Sequence, residues 1–259
     1  DLVGGPIRMC NVRASERAMI KASCSRAFRR GGEMRQIHYL NGGVELREYI
    51  TSSTLEKYRE NPGYYTIPKE ILPLFVPLIK GIHVMNSRGY YHTDIKLQNI
   101  LAREGVLRLI DFGLATSMSE LLKKPQNTDS LASAYFVRPP EILFMSMKEY
   151  DHDIIEEKLA AYNEARRKWG AFRSPLLPES IFSPKKFHNV DVIKAFIKLP
   201  MEKKIRLYFS TIDVWGIATA ILEGVQLMRY DCNTLNDEDV YKQLVAVCME
   251  GMKIGRAHV

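Results

Sequence analysis

Residues 91–101 read YHTDIKLQNIL, and residues 109–113 read LIDFG. Between these stretches, two short apolar runs flank Glu104-Gly105, a pattern that predicts a β-hairpin. The hairpin would bring both stretches to one end of the same small structure. Two carboxylates, a lysine and an asparagine are then gathered on a loop and the hairpin beside it: Asp94, Lys96, Asn99 and Asp111.

These residue types suit phosphoryl transfer, which needs positioning, a divalent metal that neutralises phosphate oxygens, and a base that orients the attacking hydroxyl. The Asp111 carboxylate and the Asn99 amide are hard oxygen ligands of the kind Mg²⁺ prefers. Asp94 is a second carboxylate, which can accept the hydroxyl proton. Lys96, two residues further along an extended loop, points the same way and can neutralise the transferred phosphate.

The two stretches resemble the catalytic loop and the metal-binding motif of eukaryotic-type protein kinases. The resemblance implies that Asp94 is the catalytic base and that Lys96 contacts the transferred phosphate. It implies that Asp111 binds the Mg²⁺ that bridges the phosphates of ATP, that Asn99 binds the second Mg²⁺, and that Leu101 forms the floor under the adenine. A lysine two residues after the base is typical of the serine/threonine-specific members.

Three further segments resemble the same family in the expected order. Residues 40–46, LNGGVEL, are similar to the hinge and the helix that follows it. Residues 135–141, YFVRPPE, are similar to the end of the activation segment, which closes with Glu141. Residues 212–216, IDVWG, are similar to the start of the central buried helix. One of these motifs alone would be weak evidence, whereas all of them in order are strong.

The resemblance also implies structural roles. His92 and Phe112 would stack in the hydrophobic spine that links the two lobes, and Asp213 would be buried and would hold the backbone of the catalytic loop. Glu141 would be a buried structural carboxylate. The implied fold is α+β and protein-kinase-like: a mostly helical C-lobe with a small β-hairpin that carries the catalytic loop, and only a remnant of the N-lobe.

The implied domain organisation has an N-lobe remnant and hinge at residues 1–43 and a C-lobe at 44–253, with a long insert at about 145–209. No G-x-G-x-x-G motif occurs in the chain. Lys21 lies too close to the hinge-like segment to be the ATP-anchoring lysine, so we expect that lysine and the glycine-rich loop upstream of Asp1. Residues 254–259, IGRAHV, correspond to a translated sequencing adapter and are expected to be read-through.

The chain departs from the family pattern at Thr93, where an arginine usually lies between the histidine and the base. That arginine often pairs with a phosphate on the activation loop, so activation-loop phosphorylation is not expected to be the switch here. The threonine usually found seven residues before Glu141 is replaced by Ala134, although Ser133 is adjacent. Four loop hydroxyls remain candidate phosphorylation sites: Thr116, Ser117, Thr128 and Ser130.

Hydrophobic periodicity and capping patterns predict the remaining elements. Residues 113–137 are rich in Ser and Thr and predict a mobile loop. Ser210 and Asp213 resemble a capping box at the start of the central helix. Helices are predicted from Val44 and over residues 68–87, 148–172, 190–199 and 210–227. The helix over 68–87 has one apolar face, formed by Leu72, Phe75, Leu78, Ile79 and Ile82. The helix over 148–172 has an apolar face near Ile155, Leu159, Tyr162 and Trp169.

Composition argues against a nucleic-acid-binding, a zinc-binding or a membrane protein. The net charge is +7, but the basic residues are scattered and are not interleaved with stacking aromatics, so nucleic-acid binding is not expected. The four cysteines form no zinc pattern and favour reduced thiols in an intracellular protein. The apolar run Ile71–Met85 contains two prolines and a lysine and is too short to span a membrane, so no membrane association is expected.

These observations predict part of a protein serine/threonine kinase that uses ATP and Mg²⁺ on protein substrates, and no detectable activity is expected of this chain alone. The alternative is a pseudokinase or kinase-fold binding module without catalysis. A small-molecule phosphotransferase of the aminoglycoside type shares the base and asparagine spacing, but Lys96, Asp111-Phe112-Gly113 and Pro139-Pro140-Glu141 argue against it. An ordinary helical domain without a site ranks last. The insert would either dock a partner or substrate or serve in packing.

Overall fold

The computed structural model shows an α+β chain in which helices predominate. The structure describes residues 8–11, 35–38, 42–52, 71–123, 138–168, 190–228, 242–244 and 246–248. Strands β1 (Arg8–Asn11) and β2 (Arg35–His38) form a two-stranded antiparallel sheet. Other N-terminal features predicted from the sequence, Lys21 among them, lie outside the described residues, as do residues 124–137, 169–189 and 254–259.

The predicted hairpin is confirmed. Strands β5 (Ile100–Arg103) and β6 (Val106–Leu109) pair antiparallel around Glu104 and Gly105, whose φ angles of 52° and 72° both lie in the left-handed region. Such a pair of angles is what a tight two-residue hairpin turn requires. The inward side chains of the hairpin, Ile100, Ala102, Leu107 and Leu109, are buried.

A third strand was not predicted. Strand β3 (Val44–Glu45) pairs antiparallel with β5, which gives the sheet order β3-β5-β6. The helix predicted from Val44 therefore begins only at residue 46, as α1 (46–52). Gly43 explains the close approach, because its φ is 115° and a Cβ there would clash with the carbonyl oxygen of Ala102.

Helix α2 (Phe75–Ser87) follows a 3₁₀ turn at Leu72–Leu74, within the helix predicted over 68–87. Phe75, Leu78 and Ile82 are buried as the periodicity predicts, whereas Ile79, also placed on that face, is 41% exposed. The helix ends before Gly89, whose φ of 76° and whose N–H bond to Asn86 O close the last turn. The chain then enters β4 (Tyr90–Tyr91).

The prediction of a loop over residues 113–137 is wrong for residues 116–123. Strand β7 (Thr116–Ser117) pairs with β4, and helix α3 (Met118–Lys123) follows directly. Ser117 and Glu120 form a reciprocal cap, since Glu120 N donates to Ser117 Oγ at 3.3 Å and Ser117 N donates to Glu120 Oε2 at 3.4 Å. Leu121 is buried, which ties the short helix to the core.

The described part of the insert contains the two predicted helices, α4 (His152–Lys168) and α5 (Val190–Lys198). Asp151 caps α4, because its Oδ1 accepts from the backbone nitrogens of Asp153 and Ile154 at 3.0 and 3.1 Å. Ile155, Leu159 and Tyr162 are buried, as the apolar face of α4 predicts, and Trp169 lies outside the described residues.

Helix α6 (Met201–Gln226) begins nine residues earlier than the predicted Ser210, directly after Pro200. The capping box predicted at Ser210 is wrong: Ser210 Oγ donates to Leu207 O within the helix, and Asp213 bonds elsewhere. Among the described residues α6 alone is long and apolar enough to cross a membrane. However, 67% of its apolar 18-residue window is buried inside the fold, as is usual for a core helix.

The core consists of two hydrophobic clusters that share α6. The first packs the hairpin, α1 and α2 against the C-terminal half of α6 around Trp215 and Leu222. The second packs α3, α4 and α5 against the N-terminal half of α6 around Phe196 and Phe209. The described insert helices thus bury an apolar face in the core, and the catalytic loop lies where the two clusters meet.

Candidate active site

Asp213, which is fully buried on α6, binds the backbone of the catalytic loop through its carboxylate. Its Oδ2 accepts from His92 N and its Oδ1 from Thr93 N, each at 2.8 Å. Thr93 has a φ of 66°, a left-handed conformation that is strained for a β-branched residue. The two hydrogen bonds to one carboxylate therefore fix a backbone shape that the loop sequence alone would disfavour.

Asn86, in the last turn of α2, adds a third donor that the sequence did not reveal. With the amide oriented so that Nδ2 faces the carboxylate, it donates to Asp213 Oδ2 and to Tyr90 O, both at 2.9 Å. Burial raises the pKa of Asp213, and the hydrogen bonds from His92 and Thr93 only partly offset this effect. An asparagine near a helix end is common for capping reasons, so its spacing gave no signal of this contact.

Asp94 is 4% exposed, and its two oxygens lie in different environments. Oδ2 accepts from Lys96 Nζ and from Asn99 Nδ2, each at 2.9 Å. Oδ1 is buried and has no hydrogen-bond partner among the residues that the structure describes. One oxygen is thus anchored by two donors, whereas the other makes no hydrogen bond to the described residues.

Asn99 links the loop to the hairpin. It lies at the end of a 3₁₀ turn (Leu97–Asn99), its Nδ2 also donates to Asp94 O at 2.9 Å, and its carbonyl accepts from Ile110 N at 3.0 Å. Because Nδ2 is committed to Asp94, Oδ1 is the amide atom left for a cation. The structure therefore brings Asp94, Lys96 and Asn99 into one hydrogen-bonded group.

Asp111 follows β6 with a φ of 62°, and its carboxylate is exposed. Its nearest bond is the weak 3.4 Å contact from Gly113 N to Oδ1. Within the described ranges, no three His, Cys, Asp or Glu side chains cluster as a metal site. The Asp111 carboxylate and Asn99 Oδ1 fit Mg²⁺, which is usually held by one or two carboxylates together with phosphates and water.

His92 and Phe112 are in ring contact. Their centroids lie 4.6 Å apart at 69°, an edge-to-face geometry, and His92 Nε2 is 3.0 Å from Ile110 O. The half-buried Leu101 lies against the hinge-like segment, since a Cβ at Gly42 would be 2.7 Å from Leu101 Cδ1. The roles of His92 and Phe112 in the hydrophobic spine and of Leu101 under the adenine stay predictions, and these contacts are consistent with them.

The activation-segment residues are only partly described. Glu141 is partly buried in a 3₁₀ helix (Pro140–Phe144), and its negative charge contributes to the raised pKa of Tyr208. Of the candidate phosphorylation sites, Thr116 and Ser117 are half-buried in β7, and Ser117 Oγ is used in the cap of α3. Thr128, Ser130, Ser133 and Ala134 lie outside the described residues.

Residues 43–154 match the sequence model of the protein kinase domain. This range contains the catalytic loop, the hairpin and Asp111. Residues 43–154 are thus similar in sequence to the protein kinase domain. The α+β architecture described above is accordingly a protein-kinase-like fold, and the kinase match ends within α4 of the insert.

Several curated kinases resemble the chain over this region. Cyclin-dependent kinase F-3 of Oryza sativa subsp. japonica is 35% identical over 78 residues, which are 30% of this chain and 17% of that protein. Human cyclin-dependent kinase-like 5 is 34% identical over 45% of this chain and 11% of its own length. Mitogen-activated protein kinase HOG1 of Scheffersomyces stipitis is 30% identical over 47% of this chain and 28% of its own length. The chain thus spans less than a third of each of these kinases.

Proposed function

We propose that this chain is part of a protein kinase that transfers the terminal phosphoryl group of Mg²⁺-ATP to serine or threonine hydroxyls of protein substrates. The observation that carries the proposal is the asymmetry of Asp94. Its Oδ2 is fixed by Lys96 and Asn99, and its Oδ1 is buried without a hydrogen-bond partner among the described residues. A rigidly held carboxylate whose second oxygen has no competing donor among the described residues suits a general base, which must accept the hydrogen bond of the hydroxyl.

Each of the four site residues would have a distinct role in phosphoryl transfer. Asp94 Oδ1 would accept the hydrogen bond of the attacking hydroxyl and then its proton. Lys96 Nζ, 2.9 Å from Asp94 Oδ2, would bring positive charge to the transferred phosphate. Asn99 Oδ1 and Asp111 would hold Mg²⁺, which supplies charge neutralisation of the phosphates when it is bound.

Two observations support the proposed specificity for serine or threonine. Lys96 lies two residues after the base, as the resemblance to serine/threonine kinases implies. The names of the relatives place them among the cyclin-dependent and mitogen-activated protein kinases. We also propose an intracellular location, since the four cysteines include no C-x-x-C pair and match no zinc spacing, which favours reduced thiols.

The test uses the protein encoded by the full natural gene that contains residues 43–228. It is incubated with Mg²⁺ and γ-labelled ATP in the presence of a generic basic protein, and the product is analysed for phosphoserine and phosphothreonine. We expect labelled product that Asp94→Asn abolishes and that Asp153→Asn, the same change at an exposed carboxylate, leaves unchanged. ATP binding without any transfer would instead support the kinase-fold binding module.

A further inference from the structure

The side chain of Thr93 has no part in the chemistry described above, yet it connects two segments of the candidate active site. Its Oγ1 donates to Leu114 O at 2.9 Å. Thr93 is 7% exposed, whereas Leu114 is 53% exposed and lies three residues after Asp111. The bond therefore ties a buried residue of the catalytic loop to an exposed part of the segment that carries a proposed metal ligand.

The carboxylate of Asp111 is weakly fixed by its own contacts. The residue is exposed, and the bond from Gly113 N to its Oδ1 is long, at 3.4 Å. Its φ of 62° lies in the left-handed region, which is uncommon for a residue other than glycine. The position of the carboxylate therefore depends on how the chain is held on either side of it.

Two neighbouring residues of the catalytic loop hold the chain on both sides of Asp111. Before Asp111, Ile110 O lies 3.0 Å from His92 Nε2. After Asp111, Leu114 O accepts the hydrogen bond of Thr93 Oγ1. Consecutive side chains of one loop thus bracket the segment that presents the carboxylate.

The segment after Asp111 is a short 3₁₀ turn (Phe112–Leu114). Ala115 N closes it by donating to Phe112 O at 3.0 Å. A 3₁₀ turn has poorer hydrogen-bond geometry than an α-helix and few internal bonds at this length, so a bond from outside contributes much to its position. Thr93 provides such a bond at the last residue of the turn.

Thr93 can hold this turn because its own backbone is fixed. Its N–H donates at 2.8 Å to Oδ1 of Asp213, which is fully buried on α6. A β-branched side chain has few χ1 rotamers, so a fixed backbone also fixes the direction of the hydroxyl. The rigidity of the central helix is thereby passed through Thr93 to the turn that follows Asp111.

We propose that the Thr93 hydroxyl is a positioning group for Asp111: it holds the turn after this residue so that the carboxylate stays where Mg²⁺ is bound. The role of Asp111 as a metal ligand rests on the proposed function. Thr93 acts through Leu114 rather than by contact with the metal. Loss of the hydroxyl should therefore raise the Mg²⁺ concentration at half-maximal activity, while the rate at saturating Mg²⁺ changes little.

The test compares Thr93→Ser, which keeps a hydroxyl, with Thr93→Ala, which has none, in the protein encoded by the full natural gene. Both variants lack the β-branch, so they differ by the hydroxyl alone. Mn²⁺ binding is titrated by electron paramagnetic resonance with a non-hydrolysable ATP analogue present. The dissociation constant of Mn²⁺ should be about three- to ten-fold higher in Thr93→Ala than in Thr93→Ser. Thr51→Ala, which removes a hydroxyl that bonds within α1, should leave the constant unchanged.

A second readout needs neither metal nor phosphoryl transfer. Amide hydrogen exchange of the ¹⁵N-labelled protein follows Ala115, whose N–H closes the turn, and Met118, whose N–H donates to Gly89 O at 2.8 Å beyond it. In Thr93→Ala, exchange at Ala115 should be about three- to ten-fold faster than in Thr93→Ser, with little change at Met118. An equal rise at both amides would indicate general destabilisation and overturn the positioning role.

The two proposals can fail separately. If the original protein binds Mn²⁺ but transfers no phosphoryl group, the proposed function fails, and the comparison of the two Thr93 variants still decides the role of the hydroxyl. If transfer occurs and both variants bind Mn²⁺ equally tightly, the proposed function stands and the positioning role of Thr93 is refuted.

Discussion

The carboxylate of Asp213 accepts a hydrogen bond from the backbone nitrogen of Thr93, 120 positions earlier in the chain, at 2.8 Å. The same carboxylate accepts from the neighbouring nitrogen of His92. Thr93 has the left-handed φ of 66° that this pairing stabilises. The loop that carries Asp94 therefore takes its shape from a side chain on the central helix α6 rather than from its own sequence.

Asp213→Asn should destabilise the fold by about 1–3 kcal/mol, because an amide offers one acceptor oxygen to two buried N–H donors. Denaturant unfolding measures the loss. In the ¹⁵N-labelled chain, the amide signals of His92 and Thr93 should shift most. Stability equal to that of the original chain would show that the buried carboxylate does not organise the loop.

Gly216→Ala should destabilise the chain more than Gly224→Ala, although both substitutions lie in α6. A Cβ at Gly216 would lie 2.9 Å from Ile95 Cβ and 3.0 Å from Ile95 O, where the catalytic-loop backbone must move. A Cβ at Gly224 would lie 3.3 Å from the end of the Ile50 side chain, which can shift. Overpacking at Gly216 should cost about 1–3 kcal/mol in unfolding free energy; equal costs at both sites would contradict this account.

Glu223 should make the chain less stable as the pH rises from 4.5 to 7. Burial raises the pKa of Glu223 to about 7, with partial relief from Arg47, whose Nη1 lies 3.5 Å from Glu223 Oε1. Between these pH values the folded chain keeps a proton that the unfolded chain has lost, so raising the pH favours unfolding. The expected loss is on the order of 3 kcal/mol.

The check is denaturant unfolding at a series of pH values for the original chain and for Glu223→Gln. In the variant, the unfolding free energy should fall less between pH 4.5 and 7, and above pH 7 the variant should be more stable than the original chain. Glu104→Gln, at an exposed carboxylate, serves as the matched control and should keep the slope. A slope that persists in Glu223→Gln would assign the pH dependence to another group.

Lys204→Met should lower the unfolding free energy by about 1–3 kcal/mol. Lys204 is 4% exposed, burial lowers its pKa, and its Nζ donates to Met147 O at 2.7 Å and Met145 O at 3.3 Å. The substitution leaves both carbonyl oxygens without this donor. Lys203→Met, at the exposed neighbour, should change the free energy little, and similar effects at both lysines would argue against a structural role for the buried amine.

Predictions that rest on local pattern succeeded where one segment contains all the information. The alternation around Glu104-Gly105 predicted the hairpin, and the apolar spacing of Ile155, Leu159 and Tyr162 predicted the buried face of α4. The prediction of a loop fails at residues 116–123 because Ser117 and Glu120, which have the spacing of a capping box, cap a helix there.

The start of α6 was misplaced for a different reason. Ser210 and Asp213 have the spacing of a capping box, but Asp213 bonds to His92 and Thr93 across the fold. A local capping interpretation could not include partners so distant in sequence. Similarly, nothing in the order of residues indicated that Asn86 would donate to the same carboxylate.

The sequence by itself determined the resemblance to protein kinases, the hairpin and the identity of the chemical groups, because motif spacing and hydrophobic periodicity are local properties of the chain. The tertiary structure decided which atoms of those groups are available. It anchored Asp94 Oδ2 to Lys96 and Asn99 and left Oδ1 without a partner among the described residues. It also joined Asp213 of α6 to the backbone nitrogens of His92 and Thr93. Asp94, Lys96 and Asn99 are close in sequence, but the shape of the loop that carries them depends on this contact between segments far apart in the chain, which no local pattern contains.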